Sequence, residues 1–207
     1  MDFTREEILE TIGMSQVAHL DIRTVTLGVS LFSCTGGNLI EAVREKILCA
    51  AEKLVPITKE IETELGIPIV NARIALTPVS LIAGSIPRDK LIQLAKVIDR
   101  TVDELNVDYV GGYSALIHKG TTPTDDLLIA TIPEVLSSTK HLCSSVSLAS
   151  TKAGINMDGV YRIAEVIQET ARLTSSEGGI GNAKLAVFAN VPEDNPFVAG
   201  AFHGVGE

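Results

Sequence analysis

Apolar residues follow two rhythms along this chain. Five stretches, Val25 to Leu31, Ile67 to Leu76, Val107 to Leu116, Leu142 to Ala149 and Ala183 to Ala189, are short and dominated by aliphatic or small side chains, the pattern of strands buried on both faces. Between them apolar positions recur every three or four residues, which marks helices carrying one buried stripe. A strand, helix, strand alternation forces parallel pairing, because each crossover returns the chain to the same end of the sheet. The expectation is an α/β fold of five parallel strands joined by crossover helices, in a single domain over residues 1–207.

Local signals refine this. Thr4 stands three residues before Glu7, so a capping box should open a helix running to Val17. After Thr35-Gly36-Gly37-Asn38 a long helix is expected on the stripe Val43, Ile47, Ala50, Leu54, Ile57, Ile61 and Leu65. Pro56 should kink or split it, Gly66 should close it, and Pro68 should sit at the start of the second strand. A third helix spans about Asp89 to Leu105 behind Pro87. A short helix around Asp125 to Ala130 is expected next, with Pro133 opening another. Asn156 should cap the last long helix. The glycine-rich run Ser176 to Asn182 precedes a strand instead of opening a helix, so it is expected to be a flexible loop and not a phosphate cradle.

Composition narrows the function classes. Hydrophobic residues make up 45% of the chain but aromatics only 4%, with no Trp, so the core is aliphatic and stacking surfaces for sugars or single strands are not expected. The net charge is −9 and no basic run occurs, which argues against nucleic acid and anionic membranes as partners. No segment reaches the roughly 20 apolar residues of a membrane span. The acidic N-terminus Met1 to Glu7 does not read as a secretory signal, so a cytoplasmic location and reduced cysteines are expected. Cys34, Cys49 and Cys143 have no metal-site spacing; Cys49 is expected to be a packing residue inside a helix. Neither a Gly-x-Gly-x-x-Gly after the first strand nor a hydrolase or zinc motif is present, so no cofactor is assigned.

In parallel α/β architectures, sites form where loops leave the carboxyl ends of the strands. Those ends supply Ser33, Cys34 and Thr35; Thr77, Pro78 and Ser80; Ser114, His118 and Lys119; Ser150, Thr151 and Lys152; and Asn190, Glu193, Asp194 and Asn195. Ser150-Thr151-Lys152-Ala153-Gly154 is the best anion candidate, because hydroxyls and a lysine precede a helix N-terminus. A capped turn with a solvated lysine is the other reading. Cys143 lies two residues from His141, so both side chains point to one strand face and a Cys/His couple is geometrically open, against the alternative of an inert buried thiol. His203 and Glu207 share a spacing suited to a metal on a helix, but Gly200, Gly204 and Gly206 argue against that helix, and no metal site is expected.

Several segments carry a family resemblance. Asp21 to Leu31, Leu65 to Asn71, Gly111 to Leu116, Cys143 to Val146, Ser150 to Met157, Phe188 to Asn190 and Asp194 to Phe197, together with Gly200 to Glu207, are similar to an uncharacterised bacterial and archaeal group, the PFL-like family. That group is so called because its fold resembles pyruvate formate-lyase and other glycyl radical enzymes. The resemblance covers essentially the whole chain. It implies a ten-stranded barrel of two five-stranded parallel half-sheets set antiparallel, of which this chain would be the N-terminal half. A lone half would expose sheet edges and an apolar inner face, so pairing with a second half-barrel or homo-oligomerisation is expected. Glycyl radical enzymes place a reactive cysteine on a barrel loop, and Cys143 is the positional candidate here, yet no Arg-Val-x-Gly-Tyr-like glycyl segment occurs. The functional expectation is a barrel binding a small anionic metabolite, catalytic or not, through Ser150, Thr151, Lys152, Asn190, Asp194 and His203, with Cys143 as the catalytic candidate. A non-catalytic metabolite-binding or regulatory protein is the alternative.

Overall fold

A computed structural model of the chain describes residues 4–18 and 20–191. Its elements run α1 (Arg5–Ile12), β1 (Val25–Val29), α2 (Leu39–Ala51), α3 (Leu54–Leu65), β2 (Ala72–Leu76), α4 (Val79–Ile82), α5 (Arg88–Glu104), β3 (Tyr109–Leu116), α6 (Pro123–Ser138), β4 (Leu142–Ser150), β5 (Gly154–Ile155), α7 (Met157–Leu173) and β6 (Leu185–Ala189). Five strands pair in parallel in the order β1-β2-β3-β4-β6, and the two-residue β5 folds back antiparallel on β4. All five expected strands are present, four of them trimmed at their ends and the fourth, β4, one residue longer than expected.

Strands that follow one another in sequence also lie side by side, so every crossover passes over the same face of the sheet. The helices accordingly form one layer, with α2 against α5, α5 against α6 and α6 against α7. One aliphatic core fills the space between that layer and the sheet, with Ile74, Val110, Leu142 and Val146 from the strands meeting Ile47, Leu94, Ile98, Ile129 and Ile132 from the helices. Tyr113 joins this side, its phenol hydrogen-bonded to Thr131 Oγ1 at 2.6 Å on α6. By strand alternation the opposite face receives Gly28, Ala75, Gly111, Ser114, Cys143 and Ser145. The middle of that face is small and hydroxylic, not the apolar wall expected, with Arg73, Tyr109 and Phe188 towards its margins; Ser114 and Ser145 hydroxyls are 2.9 Å apart upon it.

Several local expectations hold for stated reasons. Thr4 and Glu7 form both halves of the capping box. The long second helix is split at Glu52–Lys53, and Pro56 takes the third position of α3, where a backbone N–H has no intrahelical acceptor to lose. Gly66 closes α3 in the left-handed region at φ 66°. Pro68 precedes β2 by several residues; the segment before the strand only bridges, Ile22 to Ile69.

Others need correction. α6 is one helix through Pro133, not two, because its buried stripe Ile129, Ile132 and Leu136 runs across the proline and outweighs the missing N–H. Cys49 is exposed, on the solvent side of α2, instead of packed. The run from Ser176 to Asn182 is no loose loop: it forms two 3₁₀ turns, Ser175–Glu177 and Ile180–Lys184. Gly181 is pressed so closely to α7 that a Cβ there would lie 2.8 Å from Thr170 Cγ2. At a bulge in β3, Gly112 has φ +135° and a Cβ would come within 2.5 Å of Leu76 Cβ, so only glycine fits between β2 and β4.

Candidate functional site

Three chain segments meet at the carboxyl end of β3, β4 and β6. The first turns sharply after β3: Gly120, at φ +125°, donates its N–H to Ile117 O at 3.2 Å and leaves His118 and Lys119 at the tip. The second is the hairpin from β4 to β5, in which Ser150 Oγ accepts Ala153 N–H at 3.1 Å and Gly154 turns at φ +78°. The third is Asn190, held at φ 54° just past β6. Its backbone N–H donates to Ala149 O at 2.9 Å, and its side-chain oxygen accepts both the N–H and the hydroxyl of Thr151, at 2.6 and 2.8 Å.

These segments surround a cleft of about 560 Å³ lined by Leu116, His118, Lys119, Ser147, Ser150, Thr151, Lys152, Asn190 and Val191. The lining holds two lysines and a histidine and no carboxylate. Among the described residues, neither lysine makes an ion pair or a hydrogen bond. His118 Nδ1 is sealed from solvent without a partner. Four of the residues selected from sequence, Ser150, Thr151, Lys152 and Asn190, are therefore brought together. Asp194 and His203 lie outside the described residues.

Thr151 is positioned for a different reason than expected. The Ser150–Gly154 segment precedes the helix as expected but makes a hairpin with β5, and α7 starts at Met157 behind it. Asn156 caps that helix, accepting Gly159 N–H at 2.9 Å, while its amide nitrogen donates to Ile117 O at 2.8 Å. One side chain thus ties the start of α7 to the end of β3. Between them lies a second cleft of about 530 Å³, lined by His118, Lys119, Gly120, Thr121, Ala153, Ile155, Asn156, Asp158, Gly159 and Arg162. Arg162 is paired with Asp126. His118 and Lys119 border both clefts. They were visible as strand-end polar residues, but nothing local marked them out; the signal lay in β3 and β4 being neighbours.

Cys143 stands apart from this cluster. It sits near the amino end of β4, seven residues before Ser150, about 23 Å along an extended strand. Burial pushes its thiol above the ordinary range, with Arg73 and Lys184 pulling the other way. His141 does not serve it: Nδ1 lies 2.9 Å from Asp108 O and Nε2 2.9 Å from Asp103 Oδ1. Asp103 is held below the usual carboxylate range by that bond and by Lys140. Nearby, Asp99 accepts N–H groups of Lys140, His141 and Leu142 at 2.7–3.1 Å. Lys184 donates to Leu136 O and Thr139 O at the end of α6, and burial draws its pKa down. Cys34 is also occupied, its Sγ 3.6 Å from Ala42 O. Thr77 accepts Leu31 N–H at 3.0 Å and fastens the β1 and β2 ends.

No cluster of three or more metal-ligating side chains occurs among the described residues. None of their helices is long and apolar enough to cross a membrane.

Comparison with known proteins places the chain in a family without assigned chemistry. It is 54% identical over 205 residues to a UPF0210 protein of Pelobacter propionicus, covering 98% of this chain and 45% of that one. UPF0210 proteins of Acetivibrio thermocellus (54% over 204 residues) and Methanosarcina acetivorans (53% over 204 residues) each match 97% of this chain, against 45% and 44% of their own length. The chain therefore spans a little under half the length of these relatives. The family these relatives name is UPF0210, not the PFL-like family that the sequence segments resemble. Residues 13–207 match the family described as "Uncharacterised ACR (DUF711)", and the chain belongs to that uncharacterised family.

Proposed function

We propose that the protein binds a small anionic metabolite, a carboxylate or a phosphate ester, in the cleft at the carboxyl ends of β3, β4 and β6. The observation that supports this reading is charge placement. In a chain of net charge −9, the cleft gathers Lys119, Lys152 and His118 with the Ser150 hydroxyl and the Asn190 amide, and no described acid lines it. Unpaired lysines facing a shared concavity favour an anion, which would neutralise them and accept their hydrogen bonds. Binding is the proposal; no reaction is assigned, since Cys143 lies far down β4 with its thiol held protonated. The experiment is calorimetric titration of the chain with inorganic phosphate and with acetate. Saturable binding of either, weakened in Lys152→Ala and Lys119→Ala, is expected; no heat with either anion overturns the reading.

The same reading extends to the architecture. Both edges of the sheet, Val25–Val29 and Leu185–Ala189, are free of charge and proline, the features that usually protect exposed edges. Val187 on the second edge is 43% exposed. With the likeness to the PFL-like family, this supports one wall of a ten-stranded barrel whose edges are completed by a second five-stranded wall. Sedimentation velocity at rising concentration tests whether a second copy supplies it: reversible self-association is expected, and a compact monomer throughout removes that arrangement.

A further inference from the structure

The two clefts around His118 and Lys119 differ in their charged lining. The first carries Lys152 and no acid; the second carries Asp158, exposed in the first turn of α7, as its one acidic side chain. Asp158 makes no ion pair or hydrogen bond among the described residues. Arg162, one turn further along α7 in the same lining, is already neutralised by Asp126. Lys119 borders both clefts, so the unpaired charges run from Lys152 past Lys119 to Asp158, beside the Arg162–Asp126 pair.

Size bears on the occupant. Each cleft is of the order of 500 Å³, with values of about 560 and 530 Å³. A single inorganic anion would occupy one end and leave the rest to water, whereas small-molecule sites of this volume usually enclose most of their ligand. We infer that the groove recognises an extended zwitterion: a molecule with a phosphate or carboxylate at one end, seated by Lys152 and Lys119, and an ammonium at the other, facing Asp158. This rests on the anion-binding reading above and adds the second group.

The geometry supports a common occupant. Asn156 joins the end of β3 to the start of α7, so the Asp158 turn and the His118-Lys119 turn are fixed to each other through one side chain. Ser150 and Thr151 are fixed by Ala153 and Asn190 in the same manner. Both charged ends are thereby carried on braced turns, which reduces the ordering cost of binding a ligand that touches both.

The test compares matched probes on the full chain by calorimetry: ethyl phosphate and O-phosphoethanolamine, which differ by the terminal ammonium. The zwitterion is expected to bind more tightly by about threefold to fivefold, the scale of one ion pair at a solvent-open site. Asp158→Asn should remove that preference while leaving ethyl phosphate affinity and the melting temperature near the parent values. Lys152→Ala should weaken both probes alike. Ethyl phosphate binding with no preference for the zwitterion, or a preference that survives Asp158→Asn, overturns this inference and leaves the anion site standing. Absence of binding by both probes overturns the anion site and this inference together.

Discussion

The two ends of the sheet are built from similar side chains and used differently. At the amino end, His141, Lys184, Asp99 and Asp108 are all engaged: the histidine bridges Asp103 and the Asp108 carbonyl, the lysine covers two carbonyls of α6, and Asp99 gathers three successive N–H groups. At the carboxyl end, the Lys119 and Lys152 ammonium groups line open clefts with no partner among the described residues, and His118 borders both clefts with its Nδ1 sealed off and unpartnered. A satisfied polar network at one end contributes rigidity and stability; unsatisfied groups at the other contribute little to folding and keep their capacity for a ligand. The same residue types thus separate into a structural set and a candidate binding set by partnership alone.

This contrast can be broken by substitution. The largest effect is expected from Asp99→Ala, which strands three backbone N–H groups in a half-buried turn and should cost about 2–4 kcal/mol in urea denaturation, with phosphate affinity unchanged. Lys184→Met should cost about 1–2 kcal/mol, again without a binding effect, because it removes the donor to two carbonyls at the end of α6. At the opposite end, Lys152→Ala should leave stability within about 0.5 kcal/mol of the parent while lowering phosphate affinity by about tenfold. A loss of stability there, or a loss of affinity in Asp99→Ala, would dissolve the distinction.

Smaller effects sharpen it. At pH 7 exposed Cys49 should react with iodoacetamide well before Cys143, which is half-buried and whose thiol pKa is raised by that burial; mass spectrometry of the labelled peptides reads the order. Equal rates would show that the Cys143 thiol is as accessible as that of Cys49. Acidification should give the least effect. Glu7 is lowered by the Thr4 backbone and hydroxyl, and Asp103 by His141 and Lys140. Depressed carboxylate pKa values stabilise above the unfolded values, about pH 4, and the contribution disappears as pH falls through the folded ones. The urea midpoint should hold steady above that range and decline below it, less steeply in Glu7→Gln.

Much of the fold was legible because its signals are local. Thr4 with Glu7, Gly66 after a helical stripe and Asn156 before one each act within four residues, and the structure uses all three as read. Pro133 misled because its effect depends on tertiary burial: Ile129, Ile132 and Leu136 hold α6 together across it. Cys49 misled in the opposite sense, since its position within a helix says nothing of which side faces water. Half of the candidate cleft was legible for the same reason the strands were, since residues at strand ends are placed by topology. His118 and Lys119 became distinctive only once β3 and β4 were neighbours, and the hairpin at Ser150 to Gly154 was hidden because a two-residue β5 leaves no periodic trace.

Asn156 has one more consequence. It serves as donor to one strand and acceptor from one helix, and only an amide of that length can do both. Slow hydrolysis of the amide to aspartate would set a carboxylate oxygen against the Ile117 carbonyl, turning a brace into a wedge. Chemical ageing at this single atom would loosen the rim of the groove without disturbing a residue of the aliphatic interior.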